Sequence, residues 1–595
     1  MERWKVLANK IYNMLNMNYE LVFVFAPTSY GKTMASPYLL DLARKNMMAS
    51  RLIHVVPVRT LLREIYNEKF KSFSDYLNVS YQSMDRIPGG SKSPYFLSDI
   101  IVTTLDSFLW NIYKIPVAEI SKILRNISMG HYYPALAAIQ TSIVVFDEAH
   151  VYIGEHEEDK ERIAIISALN AIRELEVPIV LSTATMSSKL VEAIINTLGL
   201  DRNKVGVVYA CNKACNKHVR RLEKYLKLKV EYIDNLSSTV NWNTRVVDDK
   251  DVNSLVNLVG KYCRDKIVLV VANTVERAVE LYRKSKEKCK RATLIHSRLT
   301  EEDKEKSYNE IREIKNERKG LIVASPIIEV GVEVDADILI TDEAPLENLI
   351  QRAGRLCRSR SGQCNAEVII LKNVAGDYPY DKNDVQRSVG AIENIVKNGR
   401  CIEWRLFSSE NCEPVIQILD RIAKDFSVTS SRILRNYLVF DSTPKILIEE
   451  LNLKNLYNLF RGFSMVKAVV DISNCKRSDN SVDIDCIKDK FFATSVETLR
   501  WLESKMKCLE TDNDVDKNSV KALVLIAKRS ASEKNVFSVK EVDSVVLHNA
   551  IFKEGYHILK VHRDIEKVLD EGEVEVDFFV KIKPECYSEG EGAYV

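Results

Sequence analysis

No apolar run in this 595-residue chain comes near the length of a membrane span. The longest stretches, such as KIVLVVAN and LIHVVPV, fall far short of the roughly 18 residues that a span requires. The N-terminus, MERWKVLANK, carries no signal-peptide apolar core. Membrane and secreted classes are thereby disfavoured, and a soluble, cytoplasmic protein is expected. Charge of one sign is missing as well: 85 Lys and Arg face 83 Asp and Glu, a net +2. No global field draws a polyanion, so any contact with nucleic acid must be local. The twelve cysteines form no framework, since only Cys211 and Cys215 stand close together, and reduced core or surface thiols are expected. A metal site from Cys211, Cys215 and His218 would have a spacing uncommon for zinc and no second cysteine pair. Short-period repeats and long low-complexity segments are lacking too.

What is present, up to about residue 395, is an alternation of short apolar runs with helical patterns. LVFVF, RLIHVVP, DIIVTT, SIVVFDE and PIVLSTAT read as one set of buried strands; KIVLVVAN, ATLIHS, GLIVASP, ADILITD and AEVIILK read as a second. Strands separated by helices point to parallel α/β sheets, and two such sets to two similar lobes. Between them, 219–235 reads as a connecting strand and 238–254 as a polar loop. The last 200 or so residues show helical patterns such as CEPVIQILDRIAKDF and SVETLRWLESKMK, which predict a mixed, mainly helical accessory domain. The expected boundaries are 1–210, 211–395 and 396–595.

The first chemical motif is APTSYGKT, Ala26 to Thr33. It matches the phosphate-binding pattern G-x-x-x-x-G-K-[ST] except for its opening glycine. In that pattern backbone amides cradle phosphates, the Lys reaches the outer phosphates and the hydroxyl ligates Mg²⁺. Gly31, Lys32 and Thr33 supply the chemical half, and Pro27, Thr28, Ser29 and Tyr30 the loop. Ala26 suffices at the first position if the backbone there need not take φ > 0. A second motif, VVFDEAH, ends a buried strand in two carboxylates. Asp147 can hold the Mg²⁺ that Thr33 touches, and Glu148 can orient and deprotonate a water. A third, LSTATM, places Ser182, Thr183 and Thr185 at the same sheet edge, where ligands collect. In the second lobe stand ASPIIEVGVEVDADILITDEAP and QRAGRLCR. The latter brings three arginines that are costly to bury unpaired and suited to the developing charge on a γ-phosphate.

In this order the motifs resemble those of superfamily 2 helicases with a DEAH box, in which two RecA-like lobes close on ATP. VPVRTLL and VTTLDSF would complete the first lobe. The wording EVGVEVDADILITDEAPLENLIQRAGRLCR is most similar to the helicase of type I CRISPR interference complexes. Glu333 replaces the Asp expected after Gly331-Val332, at a contact with ribose or water, and Ser325-Pro326 replaces the common Thr-Gln. The resemblance implies an α/β fold of two tandem RecA-like domains that uses ATP and Mg²⁺. Lys32 and Thr33 would bind phosphate and metal, Asp147 the metal and Glu148 the water, with Gly331 and Glu333 also lining the nucleotide. Gln351 would read the triphosphate state. Arg355 and Arg358, one helical turn apart, would be arginine fingers, Arg352 would be structural, and Ser182, Thr183 and Thr185 would couple hydrolysis to lobe movement. For the nucleic-acid strand the resemblance points to Arg59, Thr103, Thr104, Thr274 and His296, each of which is equally readable as a cap or an interior residue.

The implied activity is translocation along single-stranded DNA beside a CRISPR RNA-guided target-recognition complex. A DEAH-type RNA or DNA-repair helicase and an ATP-gated nucleic-acid clamp are the alternatives. Related helicases carry a nuclease marked by a His-Asp dipeptide. None of the nine histidines here precedes Asp, and about 25 residues lie ahead of the loop, too few for a domain. A separate HD-type nuclease subunit is therefore expected as a partner.

Overall fold

The computed structural model describes residues 2–593 except 28–29, 84–89, 115, 117, 120–130, 132, 154–159, 212–215, 234–239, 249–251, 359–362, 375–378, 406–408, 410, 425–464, 477–481, 511–518, 529–535 and 553–572. Thr28, Ser29 and Cys215 thus lie outside the described residues. By compactness the chain divides into one unit of Met1–Lys250 with Glu329–Glu450 and another of Asp251–Ile328 with Leu451–Val595.

The first unit is built on eight parallel strands: β1 (Leu21–Phe25), β2 (Arg51–Val56), β3 (Val79–Gln82), β4 (Ile100–Thr104), β5 (Ser142–Phe146), β6 (Ile179–Thr183), β7 (Val205–Ala210) and β8 (Lys229–Ile233). They lie in the order β3-β4-β2-β5-β6-β1-β7-β8. Five of them are the apolar runs read from sequence. These strands are buried almost end to end because helices cover both faces of a parallel sheet. The stretch 219–235 does not bridge two lobes: its strand, β8, pairs parallel with β7 and extends this sheet.

The second parallel set comprises β9 (Val240–Asp248), β10 (Ile267–Val271), β11 (Ala292–Ile295), β12 (Gly320–Ala324), β13 (Ile338–Asp342) and β14 (Cys364–Lys372). In the first unit β13, β14 and β9 pair in that order; in the second, β11, β12 and β10 do. All five runs expected here are strands. The polar loop expected over 238–254 is not: most of it is β9. Its residues Val240, Trp242 and Thr244 are buried while Asn241, Asn243 and Arg245 face out, the period of two that marks a strand covered on one face.

The first unit also holds a short parallel pair, β15 (Cys401–Glu403) and β16 (Cys412–Pro414). The C-terminal region departs from the mainly helical expectation. The helices Val415–Ile422 and Val496–Met506 form where periodicity places them, yet the described residues of the second unit are organised by a sheet. It comprises β17 (Met465–Val469), β18 (Phe491–Ser495), β19 (Val520–Lys528), β20 (Val536–Ser544) and β21 (Glu573–Lys581), in the order β18-β17-β21-β19-β20. Both faces are dry. Ala522, Val524 and Ile526 join one core with Leu499 and Leu547, while Leu523 and Leu525 join another with Phe491 and Phe579. A strand buried on both faces has no polar alternation, so KALVLIA gave no strand signal distinct from a buried helix.

The cysteines also correct the sequence reading. Cys263–Cys289, Cys357–Cys364, Cys401–Cys412, Cys475–Cys486 and Cys508–Cys586 are disulfides, and no described cysteine is free. Their partners stand 7 to 78 residues apart in sequence, separations that carry no signature because the fold alone brings the Cα atoms within bridging distance. His218 has other partners for its ring. Its Nδ1 lies 2.9 Å from the Tyr209 hydroxyl and its Nε2 3.0 Å from the Met186 carbonyl, which satisfies both ring nitrogens. No helix among the described residues is long and apolar enough to cross a membrane.

Candidate nucleotide site

The loop after β1 needs one glycine, not two. Gly31 sits at φ 98°, and a β-carbon there would meet Trp4 Cβ at 3.1 Å. Ala26 is fully buried without a positive φ, and its amide donates to the Thr183 carbonyl of β6 at 3.2 Å. That is why alanine replaces the opening glycine without cost. The helix Ala35–Lys45 follows, so Lys32 and Thr33 stand in the turn between loop and helix. The Lys32 ammonium donates to the Ala26 carbonyl at 3.0 Å and lies 3.4 Å from a Glu148 carboxylate oxygen.

β5 delivers the two carboxylates. The Thr33 hydroxyl donates to Asp147 Oδ2 at 2.9 Å, and the Glu148 amide to Asp147 Oδ1 at 3.1 Å. Burial alone would raise the Asp147 carboxyl; the His54 ring, the Lys32 charge and the Thr33 hydroxyl outweigh it and hold the group well below the usual range. Asp147 is therefore an anion throughout the working pH range. Glu148 sits in the left-handed region at φ 49°, a conformation unfavourable to a side chain of this size, and aims its carboxylate back over the loop.

β6 ends beside this pair. His150 Nδ1 lies 3.0 Å from the Thr183 hydroxyl, which also accepts the Thr185 amide at 3.0 Å, and His150 Nε2 lies 3.2 Å from the Gln351 side-chain nitrogen. An amide nitrogen only donates, so the ring proton sits on Nδ1. Burial pushes the imidazole down to about 4, and neutral His150 links the two motifs.

Gln351 and Arg352 close the helix Leu346–Ala353, which ends at Gly354. Arg355 and Arg358 lie past that end and are not a helical turn apart, because Cys357 turns the chain at φ 51°. Arg352 is fully buried. It pairs with Glu329 at 2.8 Å and reaches the Thr341 hydroxyl and Tyr380, a structural placement. Arg355 donates to the Glu329 carbonyl. Burial, and next the like charge of Arg358, push its guanidinium down to about 9. Glu329 thus ties PIIEVG to QRAGR. Sequence reading passed over Glu329, His54 and His150, and only the last had a signal, as the closing residue of DEAH. Gly331 turns at φ 83°, and Glu333 is exposed.

Within this cleft Glu148 Oε2, Ser182 Oγ, Thr185 Oγ1, Arg355 Nε and Arg358 Nη1 are buried without a hydrogen-bond partner among the described residues. Orphaned polar atoms of both signs around an ammonium and a hydroxyl-carboxylate pair fit a triphosphate with a divalent cation. Thr33 and Asp147, joined by their 2.9 Å hydrogen bond, are the groups that could hold such a cation.

The strand-contact candidates divide between the two units. Thr103 is fully buried and donates to the Gln82 carbonyl at 2.8 Å, while Thr104 caps the helix Leu105–Ile112. Arg59 opens the helix Arg59–Glu64 and is partly exposed. In the other unit Thr274 caps the helix Val275–Ser285, and His296 is buried with Nε2 2.8 Å from the Glu591 carbonyl.

Residues 8–194 match the DEAD/DEAH box helicase family, and residues 264–361 match the C-terminal family of the CRISPR-associated nuclease/helicase Cas3. A putative CRISPR-associated nuclease/helicase Cas3 of Methanocaldococcus jannaschii is 24% identical over 439 residues, which cover 71% of this chain and 54% of the relative. Cas3 of Methanothermobacter thermautotrophicus is 24% identical over 405 residues, 64% of this chain and 44% of the relative. The chain spans about half the length of these curated relatives. Among solved structures, T. fusca Cas3 with AMPPNP aligns at TM-score 0.57 and 15% identity, covering 83% of this chain and 64% of that one. A CRISPR RNA-guided surveillance complex, pre-nicking, aligns at TM-score 0.53 and 16% identity, covering 86% and 64%. At such identities the likeness speaks for the fold, that of two tandem RecA-like parallel-sheet domains.

Proposed function

We propose that this chain, which carries a DEAD/DEAH-box helicase domain and a Cas3-like helicase region, is a cytoplasmic, ATP-dependent translocase on single-stranded DNA. Its setting would be CRISPR type I interference, beside an RNA-guided target-recognition complex and a separate nuclease subunit. The division of labour we propose is an ATP-binding domain over 1–210, to whose sheet β8 (Lys229–Ile233) also belongs, a second RecA-like domain over the rest of 211–395 and an accessory domain over 396–595.

One observation carries this reading. Gln351, from QRAGRLCR, meets His150, from DEAH, at 3.2 Å, and Glu148 of the same DEAH motif lies 3.4 Å from the Lys32 ammonium. A site whose two halves come from separate motifs can register whether a nucleotide lies between them and change with it. Lys32 would hold the outer phosphates, and Thr33 and Asp147 Mg²⁺, whose contribution when bound is to offset phosphate charge. Glu148 would take the proton of the attacking water. Arg355 and Arg358 would stabilise transition-state charge with their unpartnered nitrogens.

The test is ATP hydrolysis with single-stranded DNA, RNA, duplex or no polymer. Stimulation by single-stranded DNA with strand displacement is expected. Stimulation by RNA alone would make it an RNA helicase, and tight binding with slow hydrolysis and no displacement would make it a clamp. Single-stranded DNA incubated with the chain and Mn²⁺, Ni²⁺ or Co²⁺ should stay intact.

A further inference from the structure

We infer that His54 is a positioning residue for the metal-binding carboxylate, through a relay from Ser36 to His54 to Asp147. This deepens the ATPase reading and rests on it. His54 lies in β2, in register with Val145 of β5, two residues before Asp147. Its neighbours Ile53 and Val55 are apolar and it is fully buried, a place where an aliphatic side chain would pack at no polar cost. The imidazole is not there as filler, because each face it presents has a specific neighbour. Nδ1 lies 3.0 Å from the Ser36 hydroxyl, and Nε2 lies 3.4 Å from Asp147 Oδ2. The Phe70 ring packs edge-on, with centroids 5.4 Å apart and planes at 77°, and fixes the ring plane.

The chemistry sets the direction of the relay. A carboxylate only accepts, so the proton belongs on Nε2; Nδ1 is then an acceptor, and the Ser36 hydroxyl donates to it. At 3.4 Å Nε2 does not complete a hydrogen bond, and it has no other partner among the described residues. It is held ready beside the oxygen that Thr33 also touches, while the Glu148 amide ties the other oxygen. Rotation of the carboxylate is thus limited from both sides. Ser36 stands on the helix that begins just after the phosphate loop, so the relay also links loop, β2 and β5. Outer partners that orient a ligating carboxylate are typically worth roughly 10- to 100-fold in metal affinity.

The experiment measures the Mg²⁺ concentration for half-maximal binding of a fluorescent ATP analogue, without turnover, together with binding of the same analogue in EDTA. His54→Phe keeps the packing and removes both nitrogens; it should raise the Mg²⁺ requirement roughly tenfold or more and leave metal-free binding unchanged. His54→Gln returns an N–H donor near the Nε2 position and should recover most of the loss. Ser36→Ala should shift the requirement in the same direction by less, and it serves as the test if His54→Phe does not fold. An unchanged Mg²⁺ requirement in His54→Phe, or in Ser36→Ala where that is the test, overturns the relay. So does a Gln variant as weak as the Phe variant, which would mark His54 as a packing residue. Absence of Mg²⁺-dependent binding in the unaltered chain instead brings down the ATPase reading, and the relay with it.

Discussion

The side-chain nitrogen of Gln351 lies 3.2 Å from Nε2 of His150, so the last residue of DEAH and the first of QRAGRLCR touch directly. His150 passes the contact on to the Thr183 hydroxyl of β6 at 3.0 Å. Three motifs thereby share one neutral ring. Replacing Gln351 with Ala should leave nucleotide binding within a fewfold of native and lower nucleic-acid-stimulated hydrolysis about tenfold, since one neutral hydrogen bond is worth about 1 kcal/mol or somewhat more. His150→Ala should do the same. The check is stimulated against basal ATPase; equal loss of both would argue against a linking role.

Lys32→Ala and Glu148→Gln should both stop turnover, yet by different routes. The first removes a phosphate contact and should weaken nucleotide binding. The second removes only the base, whose loss costs roughly 10²–10⁴-fold in rate, so the Gln variant should bind ATP and hold nucleic acid tightly. Equilibrium binding set beside single-turnover hydrolysis separates the two. Native-rate hydrolysis in Glu148→Gln would remove it as the base.

The three arginines should part company. Arg355→Ala and Arg358→Ala should lower kcat by roughly 10³-fold with little change in ATP affinity, as expected of groups acting on transition-state charge. Arg352→Ala should instead lower stability, by about 3 kcal/mol, because it removes the charge partner of the buried Glu329 carboxylate and leaves it only the neutral donors Asn348 and Tyr380. Thermal melting and ATPase measured on the same three variants decide this, and equal ATPase losses at all three would point to a general folding role.

Reduction should destabilise the second unit more than any single surface change. The Cys508–Cys586 bridge closes a separation of 78 residues, and loss of a native disulfide typically costs about 2–5 kcal/mol. Thiol titration of the native chain under non-reducing conditions should find the described cysteines unreactive. A reductant should then lower the melting temperature. Stoichiometric thiols before reduction would contradict the pairing.

Acid should weaken the second unit through His296. Burial pushes this imidazole down to about 3, ahead of the opposing Glu591 carbonyl and the nearby charges of Arg298, Lys304 and Asp303. An unfolded His titrates near its ordinary value of about 6.5, so the unfolded chain binds the extra proton between that value and about 3. The stabilisation is complete above that window and is lost as pH falls through it, by about 1.4 kcal/mol per pH unit. Urea unfolding at pH 7, 6 and 5 should show a shallower acid slope in His296→Asn than in the native chain. Identical slopes would contradict the assignment.

The sequence by itself determined whatever depends on neighbours along the chain. Ten buried strands were legible as short apolar runs, and Gly31, Lys32, Thr33, Asp147 and Glu148 were legible because a strand end followed by a loop fixes where their side chains emerge. β9 was legible too, in the alternation of Val240, Asn241, Trp242 and Asn243, but its polar half disguised it as a loop. What only the tertiary structure decided are relationships between residues distant in sequence. Sheet order sets β2 beside β5 and so brings His54 to Asp147. A turn at Cys357 takes Arg358 out of the helical frame that its spacing suggested. Packing joins Glu329 to Arg352, and folding brings cysteines up to 78 residues apart within bridging distance. Side-chain chemistry is written locally, whereas partners are chosen by which strands lie adjacent, and adjacency in a parallel sheet is set by crossovers that leave no mark on either strand.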